Sequence, residues 1–262
     1  MKLSRLILVV AAVFSLASCL EIKNTIIVNK DGTAIVEETT LLGAQLAAMM
    51  AQGGGAGGPG EQLKGLVMDK AKAEERAKQL GEGVTVKSIE EVKSPDGKSG
   101  NKVTFAVADI RKLKFQPNSP DQKEKKAEED MVFALEGGTP TVTNNSADKK
   151  SDKGDKPKKS PEELAQMKAQ VAMMKPMFAG MRVTIDVKAA GGIASTDAAH
   201  ANGDTVTFLD LQFDKLLDNV EAFGELMESG DGGMTMADAA KKFEKVEGIK
   251  LEGKKVVKIE LK

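Results

Sequence analysis

Two segments near the start of the chain alternate apolar and polar residues, which is the pattern of strands with one buried face. They are Ile22–Val28 and Thr33–Thr39, and Asp31-Gly32 lies in the turn between them. An Asp-Gly pair favours a tight hairpin turn because glycine adopts a positive φ without strain. The sequence therefore predicts an antiparallel hairpin here.

The same patterns predict six further strands. They are Val84–Val92 with Lys102–Ala108 as a second hairpin, single strands at Met131–Leu135 and Lys254–Leu261, and the pair Arg182–Lys188 and Asp204–Leu211 across a long turn. Strands joined by short turns pair antiparallel. We therefore expect an antiparallel sheet built from hairpins.

Helical spacing of apolar residues predicts helices between these strands. They are Leu41–Met50, Glu61–Leu80, a helix from Ser160 onward, Phe213–Met227 and Ala237–Val246. The helix after Ser160 has clear start signals, since Ser160 can cap it, Pro161 fits its first turn and Glu163 completes a capping box. Its apolar stripe is rich in methionine and consists of Met167, Val171, Met174, Phe178 and Met181.

This methionine stripe has two interpretations. It is the core face of a helix that lies on the sheet, or it is an adaptable apolar groove for a lipid or a partner helix, because flexible methionine side chains suit both. The sequence leaves both open.

One long segment carries almost no apolar residues. Thr139–Lys159 is rich in Lys and Asp, so we expect it to be disordered. The resulting prediction is an α+β fold, an antiparallel sheet of hairpins packed by amphipathic helices, with a disordered polar loop. Its parts are a signal peptide at 1–18, a first half-domain at 19–136, the loop at 137–159, a second half-domain at 160–219 and a helix-strand extension at 220–262.

The N-terminus resembles the export signal of a bacterial lipoprotein. Basic Lys2 and Arg5 precede an apolar run that is too short to cross a bilayer. The run ends in Leu16-Ala17-Ser18-Cys19, which is the order of apolar and small residues before a cysteine at which such precursors are cleaved and lipidated. Cys19 is the only cysteine, so its thiol is free to receive the lipid and no disulfide within the chain can form.

This signal predicts where the protein resides. A diacylglycerol and an N-acyl chain on Cys19 give more than the two attachments needed for stable anchoring. We expect an extracytoplasmic, lipid-anchored protein of the cell envelope whose first partner is the membrane itself. Leu20, rather than an aspartate, follows the cysteine, which favours the outer membrane in a Gram-negative host.

Charge and composition argue against nucleic-acid binding. Once Lys2 and Arg5 leave the 38 basic residues, the mature chain has a net charge of −3 against 39 acidic residues. The chain also lacks Trp and Tyr, so it has neither a basic excess nor an aromatic stacking platform.

Residues that commonly perform catalysis or hold metals are scarce. His200 is the only histidine, so no ordinary zinc site can form, and we expect it in an exposed turn. Gly53, Gly55 and Gly58 match a dinucleotide-binding spacing but do not follow a predicted strand. The acidic pairs Glu37-Glu38 and Glu90-Glu91 should point to opposite faces of their strands, so we expect a charged, solvated edge. No catalytic residue, cofactor or metal is predicted.

An internal echo links two parts of the chain. Val103-Thr104-Phe105 followed by Asp109–Leu113 parallels Val206-Thr207-Phe208 followed by Gln212–Leu216. Either an internal duplication or convergent amphipathic patterning explains it.

Several segments together resemble uncharacterised bacterial lipoproteins with an LppM-type domain. They are the hairpin Ile26–Thr33, the methionine-rich helix, and the run Arg182–Ile185 through Gly191–Thr196 to Gly203–Phe208. The resemblance covers about Glu21–Asn219 and implies an extracytoplasmic α+β domain with an antiparallel sheet, with no established catalytic residues that could be carried over to this chain. The chain departs from it at Phe208, where relatives often have Trp, and after Asn219, where a helix and a strand replace a membrane helix.

The sequence therefore predicts a non-enzymatic envelope lipoprotein that serves as a binding or structural module for an envelope lipid or protein. Two alternatives stay open. One is a carrier that holds a lipid or other apolar ligand between the sheet and the methionine-rich helix. The other is a hydrolase that uses carboxylates alone.

Overall fold

The computed structural model describes residues 20–51, 67–116, 131–137, 139–145, 161–178, 180–228 and 235–262. Its strands are β1 Leu20–Val28, β2 Ala34–Leu42, β3 Val84–Lys93, β4 Ser99–Val107, β5 Lys114–Phe115, β6 Met131–Glu136, β7 Thr139–Asn144, β8 Arg182–Ala189, β9 Ile193–Thr196, β10 Ala201–Asn202, β11 Thr205–Gln212, β12 Ile249–Leu251 and β13 Val256–Leu261. Its helices are α1 Ala44–Ala51, α2 Lys70–Leu80, α3 Pro161–Phe178, α4 Phe213–Asp218, α5 Val220–Glu228 and α6 Met236–Phe243, with a short 3₁₀ helix at Ile110–Lys112.

The predicted first hairpin forms the centre of the larger sheet. β1 and β2 pair antiparallel from Leu20 opposite Leu42 to Val28 opposite Ala34. In the turn, Gly32 has a φ of 85°, and Asp31 accepts a hydrogen bond from the Thr33 backbone at 2.9 Å. The hairpin is longer than predicted, since β2 continues through Leu42 and the following helix begins only at Ala44.

The larger sheet has the order β10-β11-β8-β1-β2-β4-β3, and β12 also pairs with β11. Every pairing is antiparallel except that of β1 with β8. Strands from both predicted half-domains thus lie side by side in one sheet. The two segments of the internal echo correspond to the strand pairs β3–β4 and β8–β11, which flank the central hairpin in opposite order. The second strand of the first pair, β4, lies next to β2, whereas the first strand of the second pair, β8, lies next to β1.

A smaller antiparallel sheet has the order β5-β6-β7-β13-β9. The prediction of a disordered loop over 137–159 is wrong for its first part, because β7 pairs with β6 along its length and with β13 at Thr141–Thr143. Residues 146–160 lie outside the described part of the chain. The predicted turn after β8 likewise contains β9, which pairs with β13.

The main core lies between the two sheets and under α2. Ile26, Phe105 and Val187 from the larger sheet meet Phe133 and Ile259 from the smaller one, and all five are at most 4% exposed. α2 covers part of the same cluster through the further buried residues Ala73, Ala77 and Leu80. The α+β fold class with antiparallel sheets is confirmed.

A second apolar cluster lies among the C-terminal helices. The predicted helix Phe213–Met227 is two helices, because Asn219 ends α4 and its side chain accepts a hydrogen bond from the Ala222 backbone at 3.1 Å. Leu216, Phe223 and Phe243 form the centre of the cluster. Residues 220–262, expected as an extension, also supply β12 to the larger sheet and β13 to the smaller one.

Candidate functional site

A cavity of about 630 Å³ lies at the end of the larger sheet where β1 begins. Its lining combines an apolar and a polar set of side chains. The apolar set is Leu42, Ala47, Val67, Met68, Ile89 and Val92, and the others are Glu91, Lys93, Ser99, Gly100 and Asn101. A volume of this size lies within the range of roughly 300–1,000 Å³ that is usual for small-molecule sites.

The strand register brings this cavity next to the start of the described chain. Leu20 pairs with Leu42, Leu42 pairs with Ser99, and Ser99 pairs with Lys93, so four neighbouring strands end in one row. Leu20 and Leu42 are buried in a small apolar cluster that is separate from the main core. Ala47 of α1 belongs to this cluster and also lines the cavity.

Two close contacts hold the wall of the cavity in place. Asn101 of β4 donates a hydrogen bond through its Nδ2 to the Met68 carbonyl oxygen at 2.6 Å, which fixes the segment before α2 on the sheet. Gly100 lies against the neighbouring strand so closely that a Cβ atom there would be 1.9 Å from the Thr40 carbonyl oxygen. No other residue fits at this position without moving the backbone of β2.

A buried lysine links charged residues at the same end of the sheet. Lys98 is 5% exposed, and its ammonium lies 2.8 Å from a Glu21 carboxylate oxygen and 3.2 Å from one of Asp96. Burial alone lowers the pKa of Lys98, but its hydrogen bonds and charge contacts with the two carboxylates outweigh that effect and raise its pKa above the usual value. Lys98 therefore ties the first strand to the turn between β3 and β4.

A buried ion pair lies deeper in the same half of the sheet. The Arg76 guanidinium of α2 donates to the Glu38 carboxylate at 2.6 and 2.9 Å, and to the Gln116 carbonyl oxygen at 2.5 Å. Both side chains of the pair are less than 5% exposed, and Arg76 lies over the Phe115 ring at 5.8 Å. The expectation of a solvated edge is wrong for Glu38, although Glu37 does point to the other face and pairs with Lys102.

Glu38 and His200, which carry titratable groups, each make a structural contact. The Glu38 carboxylate is engaged by Arg76, and no cluster of three His, Cys, Asp or Glu residues that could hold a metal occurs in the described ranges. His200 is half-buried rather than exposed, and its Nε2 donates to the Leu251 carbonyl oxygen at 3.2 Å, since a carbonyl can only accept. Its ring thus joins a turn to β12.

The predicted methionine stripe is divided between two places. Met167, Val171 and Phe178 belong to the second apolar cluster, where α3 packs on α4 and α5 and which also includes Ile249 and Leu251 of β12. Phe178 stacks on Phe213 with ring centroids 5.8 Å apart. Met181 instead contacts the small cluster of Leu20 and Leu42. The side chain of Met174 lies outside the described part of the structure.

The remaining predicted site residues lie outside the described residues. They are the cleavage motif Leu16, Ala17 and Ser18 with Cys19. The glycine-rich run that contains Gly53, which is not predicted as a site, lies outside the described residues as well. Within the described ranges, no helix is long and apolar enough to span a membrane.

Sequence reasoning missed the cavity because its lining comes from four separate segments. The only local signal is the apolar pair Val67-Met68, which directly precedes the N-cap Asp69 of α2.

Comparison with known proteins shows a distant structural likeness. No protein-family model matches the chain, and no curated protein matches it. Among solved structures, the chain is similar to the NMR structure of the folded domain of LppM from Mycobacterium tuberculosis, at 11% identity and a TM-score of 0.31 over 74% of this chain and 83% of that one. A likeness at this level assigns the chain to no family.

Proposed function

We propose that this protein is a lipoprotein of the bacterial envelope, anchored through Cys19, whose folded domain lies directly against the membrane as a non-enzymatic binding or structural module for an unidentified ligand. The N-terminal sequence supports the anchor, because a basic start, a short apolar run and Leu16-Ala17-Ser18-Cys19 occur in the order that lipidation requires. The start of β1 supports the position of the domain.

The observation that carries this proposal is the absence of a spacer between Cys19 and the sheet. β1 begins at Leu20, the residue after the cysteine, and Leu20 is only 7% exposed. An extended residue spans at most about 3.6 Å, so the sheet must begin within roughly 10 Å of the lipid headgroups. A domain attached so closely handles components of its own membrane more readily than distant partners.

Lipidation is tested by replacing Cys19 with serine. The hydroxyl cannot form the thioether, so we expect metabolic labelling with a palmitate analogue to disappear and the precursor to be misprocessed. Separation of inner and outer membranes of a Gram-negative host then tests the outer-membrane prediction. Equal labelling of the wild type and Cys19→Ser would refute the anchor.

The position of the domain is tested with one spin label in the first half of β1 and one in the turn that follows it. Lys23→Cys and Lys30→Cys each introduce a single free thiol, since the chain's own cysteine carries the lipid, and both positions are exposed. Most of the chain between the two positions is extended strand, which separates them by roughly 20 Å. A paramagnetic headgroup lipid should broaden the signal at Lys23→Cys far more than at Lys30→Cys. Equal, weak broadening at both positions would show that the domain is held away from the membrane.

A further inference from the structure

We propose that the cavity at the end of the larger sheet where β1 begins holds one acyl chain of the protein's own lipid anchor. This inference rests on the proposed lipidation of Cys19 and names the ligand of the cavity. One chain of the anchor would then lie in the protein while the others stay in the bilayer.

Proximity is the first argument. Cys19 immediately precedes Leu20, and the partner of Leu20 in the sheet, Leu42, lines the cavity. Neighbouring strands lie about 4.7–4.9 Å apart, so the modified sulfur is attached within one or two residue lengths of the cavity wall. A tethered acyl chain binds as an intramolecular group, at a high effective concentration and without the entropic cost of capturing a free lipid.

The chemistry of the lining is the second argument. Leu42, Ala47, Val67 and Met68 offer an apolar wall, whereas Lys93 and Ser99 lie opposite each other in register and supply hydrogen-bond donors. This combination matches a lipid attached by a glyceryl ester, because its chain is apolar and its ester carbonyl oxygens accept hydrogen bonds.

An exposed apolar side chain is the third argument. Only three large hydrophobic side chains are classed as exposed in the described ranges, and one of them, Ile89 at 37%, lines this cavity. An acyl chain in the cavity would remove this apolar surface from water, which is favourable.

Thiol protection gives a direct test. Ile89→Cys introduces the only free thiol of the lipidated protein, and Val256→Cys, at a position 42% exposed on the smaller sheet, serves as the matched control. Each variant is prepared lipidated, and also unlipidated as the mature chain with Cys19→Ser, and all four proteins are studied in the same detergent. An occupancy of about 90% should slow maleimide labelling of Ile89→Cys about tenfold on lipidation and leave Val256→Cys unchanged.

A fluorescent fatty acid, cis-parinaric acid, identifies the occupant. The unlipidated mature chain should bind it, the lipidated protein should not, and Ala47→Phe should weaken binding because its ring takes up part of the cavity that Ala47 lines. Ala48→Phe, at the next and exposed position of α1, is the matched control and should bind normally. Equal binding by the lipidated and unlipidated proteins would make the cavity a site for free lipids and overturn the proposal.

Two other outcomes also overturn it. Absence of binding by the unlipidated chain would exclude an acyl site, and equal labelling rates of Ile89→Cys in both forms would exclude the anchor as the cover. Intact-mass measurement separates these failures from failure of the proposed function, because it reports directly whether Cys19 carries a lipid.

Discussion

Replacing Arg76 with methionine should destabilise the protein far more than removing a surface charge from the same helix. Methionine keeps most of the length of the side chain but cannot donate to Glu38 or to the Gln116 carbonyl oxygen. The Glu38 carboxylate would then lack its charged partner in a site where its side chain is only 4% exposed. Leaving a buried charge unpaired raises the free energy of the folded state.

The magnitude follows from the burial of the pair. Removing one member of a buried ion pair costs about 3–5 kcal/mol, whereas an exposed pair contributes about 0–1 kcal/mol. A domain of 150–250 residues loses roughly 2–4 °C of Tm per kcal/mol, so we expect Arg76→Met to lower the Tm by about 6–20 °C.

Urea unfolding of the unlipidated mature chain is the assay, with Lys70→Met as the matched control. Lys70 is also in α2 and also forms an ion pair, with Glu74 at 4.0 Å, but its side chain is 86% exposed. Both variants remove one positive charge, and the control should change the free energy of unfolding by less than about 0.5 kcal/mol. Adding Glu38→Leu to Arg76→Met should restore much of the loss, because no charge is then left unpaired.

A clear result would refute this reasoning. If Arg76→Met is no more destabilising than Lys70→Met, with an unchanged dependence on urea, the Glu38 carboxylate reaches water and the pair does not join α2 to the sheet.

Three further predictions follow from local geometry. Gly100→Ala should cost about 1–3 kcal/mol of unfolding free energy, because its Cβ meets a backbone oxygen, whereas Gly191→Ala, with its nearest contact at an ordinary 3.5 Å, should be tolerated in urea unfolding. Hydrogen bonds from the Arg111 side chain and backbone lower the pKa of Asp109 to about 2. The contribution of Asp109 to stability is therefore complete above the ordinary pKa of an aspartate and disappears as the pH falls through 2. A carboxyl NMR titration measures this pKa, and Arg111→Gln should raise it. Deleting Thr139–Asn144 should abolish cooperative thermal unfolding, and retention of the transition would show that β7 is dispensable.

The local alternation of apolar and polar residues was sufficient to predict the hairpins but not to predict β7. The first hairpin carries its own signals, an alternation of residues and an Asp-Gly turn. β7 has the sequence Thr-Pro-Thr-Val-Thr-Asn, with Val142 as its single large apolar residue, and it exists because β6 and β13 pair with it. β13 is more than 100 residues away, and a prediction from composition has no access to such a partner.

Proline made the assignment of β7 harder still. Proline usually argues against a central strand because it lacks a backbone donor. Pro140 is compatible with β7 because β13 pairs only with Thr141–Thr143, so Pro140 lies beyond the stretch that needs donors on that side. Pro140 therefore does not break the pairing of β7 with β13, but the sequence alone does not show where that pairing ends.

The buried ion pair shows which sequence signal was available and was not used. In β2, Glu38 lies on the same face as Val36 and Thr40, all of them buried, so alternation alone places its carboxylate in the core. In α2, Ala73, Ala77 and Leu80 define the buried face, and Arg76 is on that face with them.

Each of these charges alone favours a solvated position, because burying an unpaired charge is costly. Two opposite charges, each at a core position of neighbouring elements, solve that problem for each other, since each supplies the partner that the other needs. Glu38 and Arg76 are opposite charges at core positions of their elements, and this shared feature is the sequence signal for the contact between α2 and β2. The lining of the cavity is harder to predict from the sequence, because its apolar residues occupy positions where apolar residues are ordinary and so give no comparable signal.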